Sequence, residues 1–152
     1  MSKKKPLGSG DIELSHPFDY RAAGYSKKKA KKLCKPSALR VIVWPTLKPF
    51  RRATGSKGEA CLFSSSDPTK GQASELGPVI AVMHLAKGRF LNAGTIAHEL
   101  VHALAVLPRE QGDPFDDGKL GEVAAYRMQR LTSAIIDYLE GLGLGVPSGM
   151  KL

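Results

Sequence analysis

The feature that most constrains this chain is His98-Glu99-Leu100-Val101-His102, set inside the apolar run 93–107 (AGTIAHELVHALAVL). Asn92 is a candidate N-cap and Pro108 a stop, so the run reads as a helix. On a helix, residues i and i+4 lie one above the other on the same face. Two imidazoles so placed can hold one tetrahedral zinc ion through nitrogen. Glu99, one residue beyond the first histidine, leans toward the same edge and is placed to take a proton from a metal-bound water. Ala97, Leu100, Val101 and Ala103 carry no charge. The helix is therefore expected to be buried on most sides, where two histidines and a glutamate need a strong partner. The competing reading is a pair of core histidines satisfied by their neighbours.

A catalytic zinc usually takes three protein ligands and leaves one position open. A third histidine six residues after His102 is absent, because Ala105 and Pro108 stand where the Gly and His of that pattern would be. Glu110, Asp113, Asp116 and Asp117 fall in the polar loop 108–117 and read as solvated or capping acids. Glu122 is the candidate third ligand. It lies 20 positions after His102, in the first turns of a second helix expected over about 118–140. Two helices joined by a short connection can pack and bring a carboxylate to imidazoles. Glu122, Tyr126, Gln129 and Ser133 form one polar stripe, while Val123, Ala124, Met128, Leu131, Ile135, Tyr138 and Leu139 supply packing positions. The alternative for Glu122 is an acid meeting the positive end of the helix dipole.

The 152 residues suggest one domain. The chain is 42% hydrophobic and 24% charged, an ordinary globular balance that excludes wholesale disorder. No apolar run reaches the roughly 20 residues of a membrane-spanning helix. The N-terminal residues hold positive charge with no apolar stretch behind it, so no secretory signal is expected. Cys34 and Cys61 are too few for a disulfide framework, and a reducing intracellular compartment is the expectation.

The net charge of +9 is uneven. Residues 1–60 hold 15 Lys/Arg against 4 Asp/Glu, and residues 61–152 hold 8 against 10. Lys3, Lys4, Lys5 and the run Lys27, Lys28, Lys29, Lys31, Lys32, Lys35 carry most of the excess. Such a cluster attracts polyanions, nucleic acid among them, or is simply a solvated face. With no base-reading motif, contact with nucleic acid is expected through phosphates.

Residues 1–24 read as a basic, partly flexible arm, with His16, Phe18 and Tyr20 able to pack as a lid. A single domain is expected over 25–140 and a Gly-rich, frayed tail over 141–152. Ser26 can cap a short Lys-rich helix over 27–34. Strands are expected at 39–44 (LRVIVW), 59–63 (EACLF) and 78–84 (PVIAVMH), with turns or loops at 51–58 and 64–77. Pro78 at the start of the third strand fits an edge position.

HELVH followed by GEVAAYRMQ resembles the gluzincin metallopeptidases, whose pattern is H-E-x-x-H with a downstream Glu ligand on the next helix. The small size resembles the minigluzincins and the ImmA/IrrE-like and SprT-like compact zincins, over about residues 78–140. The resemblance implies an α+β, compact zincin-like domain: a small three-stranded mixed sheet packed on the HExxH helix and a following helix. It implies an edge strand ahead of the active-site helix that holds extended substrate, with PVIAVMH in that position. It implies one zinc per chain on His98, His102 and Glu122, with Glu99 as general base and acid. The substrate is then a protein or peptide. Tyr126 or His84 is the candidate donor to the oxyanion. The rival reading is a basic nucleic-acid- or partner-binding module with a structural or vestigial metal site.

Overall fold

The computed structural model describes residues 5–58, 60–63, 73–89 and 91–147, with 60–63 and 73 described through the backbone alone. Lys3, Lys4, residues 64–72 of the loop expected over 64–77, and the end of the tail at 148–152 lie outside the described residues.

The architecture is α+β. Strand β1 (Gly8–Glu13), helices α1 (Pro17–Ala22) and α2 (Lys27–Leu33), strand β2 (Ala38–Trp44) and helix α3 (Leu47–Thr54) come first. Strands β3 (Ala60–Phe63), β4 (Ala73–Ser74) and β5 (Gly77–Ala86) follow, then helices α4 (Ala93–Val106) and α5 (Lys119–Gly141). The sheet runs β1-β2-β5-β3, with the two-residue β4 pairing with β5. β2 and β5 are parallel, and β1 and β3 are antiparallel to their neighbours. β2, β5 and β3 make up the expected three-stranded mixed sheet, extended by β1, but 39–44 and 59–63 are not the hairpin or neighbouring strands that their sequence order suggests, because β5 lies between them.

Strand alternation decides what each face meets. Leu39, Val41 and Val43 of β2 and Ala81, Met83 and Leu85 of β5 share one core with Ile96, Leu100, Ala103 and Leu104 of α4 and Leu131, Ile135 and Leu139 of α5. Ala38, Ile42, Val79 and Val82, with Trp44 and Leu76 against them, form a separate cluster on the other face.

Three expectations are corrected here. First, β5 is an interior strand with neighbours on both sides, and the outer strands among the described residues are β1 and β3. Pro78 is accommodated because it stands at the start of β5, opposite Ala73 of the short β4. Second, the segment 1–24 is not an arm over its described length. Gly8 and Gly10 sit in β1 because Tyr138 of α5 lies against them. A Cβ on Gly10 would come within 2.7 Å of the Tyr138 ring. In the expected tail Leu142, Leu144 and Val146 pack on the core, and Ala93 N donates to Pro147 O. Third, 51–58 begins as helix rather than turn. Pro49 is the third residue of α3, where its missing N–H would have no helical partner anyway. Gly55, at φ 71°, ends the helix in the left-handed conformation.

The N-terminal segment is fixed by charge. His16 caps α1: its Nδ1 accepts from Phe18 N, and Asp19 accepts from His16 N. Asp19 is fully buried and accepts from Arg127 Nε at 3.1 Å and from Arg130 Nε at 2.7 Å. Arg127, also fully buried, donates further to Ser15 Oγ and to the Gln111 carbonyl. Arg130 donates to the carbonyls of Glu13 and Leu14. Tyr20, Ala30 and Val123 close a small apolar cluster beside this network, joining α1, α2 and α5.

Removing one partner of a buried ion pair leaves an uncompensated charge. Asp19→Ala is expected to cost about 3–5 kcal/mol in denaturant unfolding. Alkaline stability follows from two groups nearby. Burial, the largest cause, raises the Cys34 thiol and the Tyr20 phenol above their ordinary values. Each folded group holds its proton after the unfolded chain has lost it. Stability is therefore complete below the unfolded values of about 8.5 for Cys and 10 for Tyr, and falls as pH rises toward and through the folded ones. Unfolding midpoints measured from pH 7 to 11 should decline less steeply in Cys34→Ala from about pH 8.5 and in Tyr20→Phe above about pH 10.

Candidate metal centre

α4 is capped by Asn92, whose Oδ1 accepts from Thr95 N at 2.9 Å. One face carries Ile96, Leu100, Ala103 and Leu104 into the core. The opposite face is open: His98, Val101, His102 and Ala105 are exposed, Val101 by 54%. The helix is thus buried on one side rather than on most sides. Its lack of surface charge reflects an uncharged exposed face around the histidines. The core-histidine reading fails for the same reason.

The rings of His98 and His102 stand one turn apart, edge to face, with centroids 5.3 Å apart. Glu99 lies at the boundary of the two faces and is 6% exposed. Burial raises its carboxyl above the ordinary glutamate value, and the two nearby histidines partly oppose that rise. The local trio therefore has the layout that helical spacing dictates: two solvent-facing nitrogen donors beside a largely desolvated carboxylate.

The more distant members are placed differently. Glu122 is exposed on the first turn of α5, and no hydrogen bond or ion pair engages its carboxylate among the described residues. Among those residues no group of three or more His, Cys, Asp or Glu side chains is disposed to hold a metal, so Glu122 is not gathered with the pair. The packing explains its position. Val123, next to Glu122, packs with Tyr20 and Ala30. The fully buried α5 residues in the core shared with α4 are Leu131, Ile135 and Leu139, more than two turns further on, with the partly buried Met128 packed against the same core. Tyr126 is half-buried between Val123 and Arg127 in the chain and makes no hydrogen bond to either imidazole among the described residues.

His84 is removed from the site by strand parity. Met83 and Leu85 face α4 and α5, so His84 points to the other side of the sheet. There it is buried and stacked on Trp44, whose Nε1 donates to His84 Nδ1 at 3.0 Å. An oxyanion role for His84 is therefore ruled out by the fold. The alternation of Met83, His84 and Leu85 held that signal in the sequence.

The residues fit a divalent transition metal in part. The imidazole pair offers two donors of the right type and spacing on an open face, and Glu122 offers an unengaged carboxylate that stands apart from them. No family model matches the chain, and no curated protein or solved structure matches it.

The two faces of α4 have separable consequences. His98→Ala and His102→Ala should each leave metal-free stability within about 0.5 kcal/mol of the parent, as exposed sites do. Leu100→Ala should cost about 2–5 kcal/mol, the usual penalty for a buried leucine. Denaturant midpoints of the three metal-free variants check this.

Proposed function

We propose that the chain is a zinc-dependent peptidase whose reaction centre is the open face of α4. The observation that carries the reading is the His98–His102 pair, exposed and one helical turn apart, with the desolvated Glu99 between them in sequence. His98 and His102 are the nitrogen ligands. Glu122, exposed and free of other partners among the described residues, is the proposed third ligand, a role that requires it to close the gap that separates it from the pair. Zinc, when bound, supplies a Lewis acid and brings the pKa of its water to near 7.

The chain's own residues do the rest. Glu99 takes the proton from the attacking water and returns it to the leaving amine. Its desolvation keeps bulk water from competing for its carboxylate. Val101 offers an exposed apolar contact beside the histidines for a substrate side chain. Tyr126, one turn past Glu122, is the remaining candidate for a donor to the oxyanion.

The second reading is a basic binding module with a structural metal at the same pair. Elemental analysis and hydrolysis of an unstructured protein substrate separate the two. The peptidase reading expects about one zinc per chain, lost in His98→Ala and in His102→Ala and held more weakly in Glu122→Gln. Glu99→Gln is expected to keep the zinc and to lose at least about 100-fold in rate, the contribution of a positioned general base. Zinc retained with hydrolysis that ignores Glu99 would establish the structural-metal reading. No zinc in the parent chain would overturn both.

A further inference from the structure

We propose that α2 is a docking surface for the phosphate backbone of nucleic acid, held without sequence preference. The argument starts from what the fold does with charge. Residues 20–58 hold twelve Lys/Arg and no Asp/Glu. Six of these, Lys27, Lys28, Lys29, Lys31, Lys32 and Lys35, are exposed on and just after α2. None of the six forms an ion pair among the described residues.

The nearest acids in the chain are committed elsewhere. Asp11 accepts from Arg40 at 2.8 Å, Asp19 is enclosed by Arg127 and Arg130, and Glu13 faces His16. Lys119 adds to the excess: its ammonium lies 4.9 Å from the centre of the Tyr25 ring, next to the cap of α2.

This arrangement opposes helix formation. Lys27–Lys31 and Lys28–Lys32 are like-charged i,i+4 pairs. Lys27, Lys28 and Lys29 stand in the first turn, at the positive end of the helix dipole, where there is no acid. The helix persists because Ser26 caps it and Ala30 is anchored against Tyr20 and Val123. Lys31 and Lys32 meet the favourable negative end of the dipole, but none of the six lysines has an ion-pair partner among the described residues, so an external polyanion would relieve their mutual repulsion.

The chemistry favours phosphates. The apolar side of α2, at Ala30, is already occupied by the fold, with Leu33 and Cys34 packed against the same cluster. No apolar face remains to enter a bilayer. The lysines surround the helix away from Ala30 and form neither a groove nor a strand edge that would order an acidic peptide. A duplex, with one charge about every 1.7 Å of axis, needs neither.

The test is fluorescence anisotropy of a mixed-sequence 20-base-pair duplex with the full chain, at several salt concentrations. Log affinity should fall linearly with log salt. Lys28→Gln/Lys29→Gln/Lys32→Gln should reduce the magnitude of that slope by about 2–3, near 0.9 for each phosphate that a lysine no longer neutralises. The matched loss of charge on α3, Lys48→Gln/Arg51→Gln/Arg52→Gln, should change that slope by less than about 0.9, the value for one phosphate contact. The α2 variant should melt at or above the parent temperature, since its repulsion is reduced.

Equal weakening by both variants would reduce the effect to net charge and overturn the proposal. So would tighter binding to poly-glutamate or to phosphatidylserine vesicles than to the duplex, or an α2 variant that melts lower. Glu99→Gln should bind as the parent does, so the result stands apart from the peptidase reading.

Discussion

The buried carboxylate of Asp19 organises the described fold. Two arginines from one helix close on it, and their remaining N–H groups reach carbonyls at Glu13, Leu14 and Gln111 and the Ser15 hydroxyl. A fully desolvated carboxylate is tolerable only when charge and hydrogen bonds surround it, as they do here. The consequence is positional. The chain between β1 and α1 is tied to the first half of α5, so β1 stays beside β2 and α5 stays across the sheet. The turn of α5 bearing Glu122 and Tyr126 is fixed against α1 by the same interactions. Where a third ligand can stand relative to α4 is therefore set by an ion network that contains no candidate ligand.

What the sequence made legible was local. The core of β2, the bounds of α4 and α5 within a residue, and the capped α2 follow from periodicity and caps that act over a few residues. The i,i+4 histidine pair belongs to that class, and its geometry needed only a helix. What escaped was set by distant partners. Gly8 and Gly10 look like a flexible tail until Tyr138, some 130 residues away, is laid against them. Pro49 by itself suggests a break, but with Thr46 as the N-cap of α3 it falls in the first turn, where it is tolerated. The interior position of β5 depends on the pairing of β3, which no reading of 78–84 alone contains.

The site divides along the same line. His98, Glu99 and His102 are related by helix geometry, so their juxtaposition was predictable. Which side of α4 faces solvent was not, because an uncharged helix gives no sign of its exposed stripe. His84 and Glu122 depend on strand parity and on helix-to-helix register. The first could be worked out from Met83 and Leu85, which flank the histidine. The second could not, since the register of α5 is decided by Asp19.

The cations divide by chemistry as well as by place. Arg40, Arg127 and Arg130 each meet a carboxylate, the task suited to a planar, multidentate, weakly hydrated group. The lysines of α2 remain in solvent, as strongly hydrated point charges do. On the proposed readings the two surfaces meet at α5: Ala30 rests on the cluster that contains Val123, and Val123 adjoins Glu122. The packing route from α2 toward Glu122 runs through Val123. That residue is fully buried and lies one turn from Arg127, which the ion network locks. On these proposed readings the lysine surface is a tether that concentrates the chain on its partner, and the buried α1–α5 junction holds the turn beside Glu122 in place.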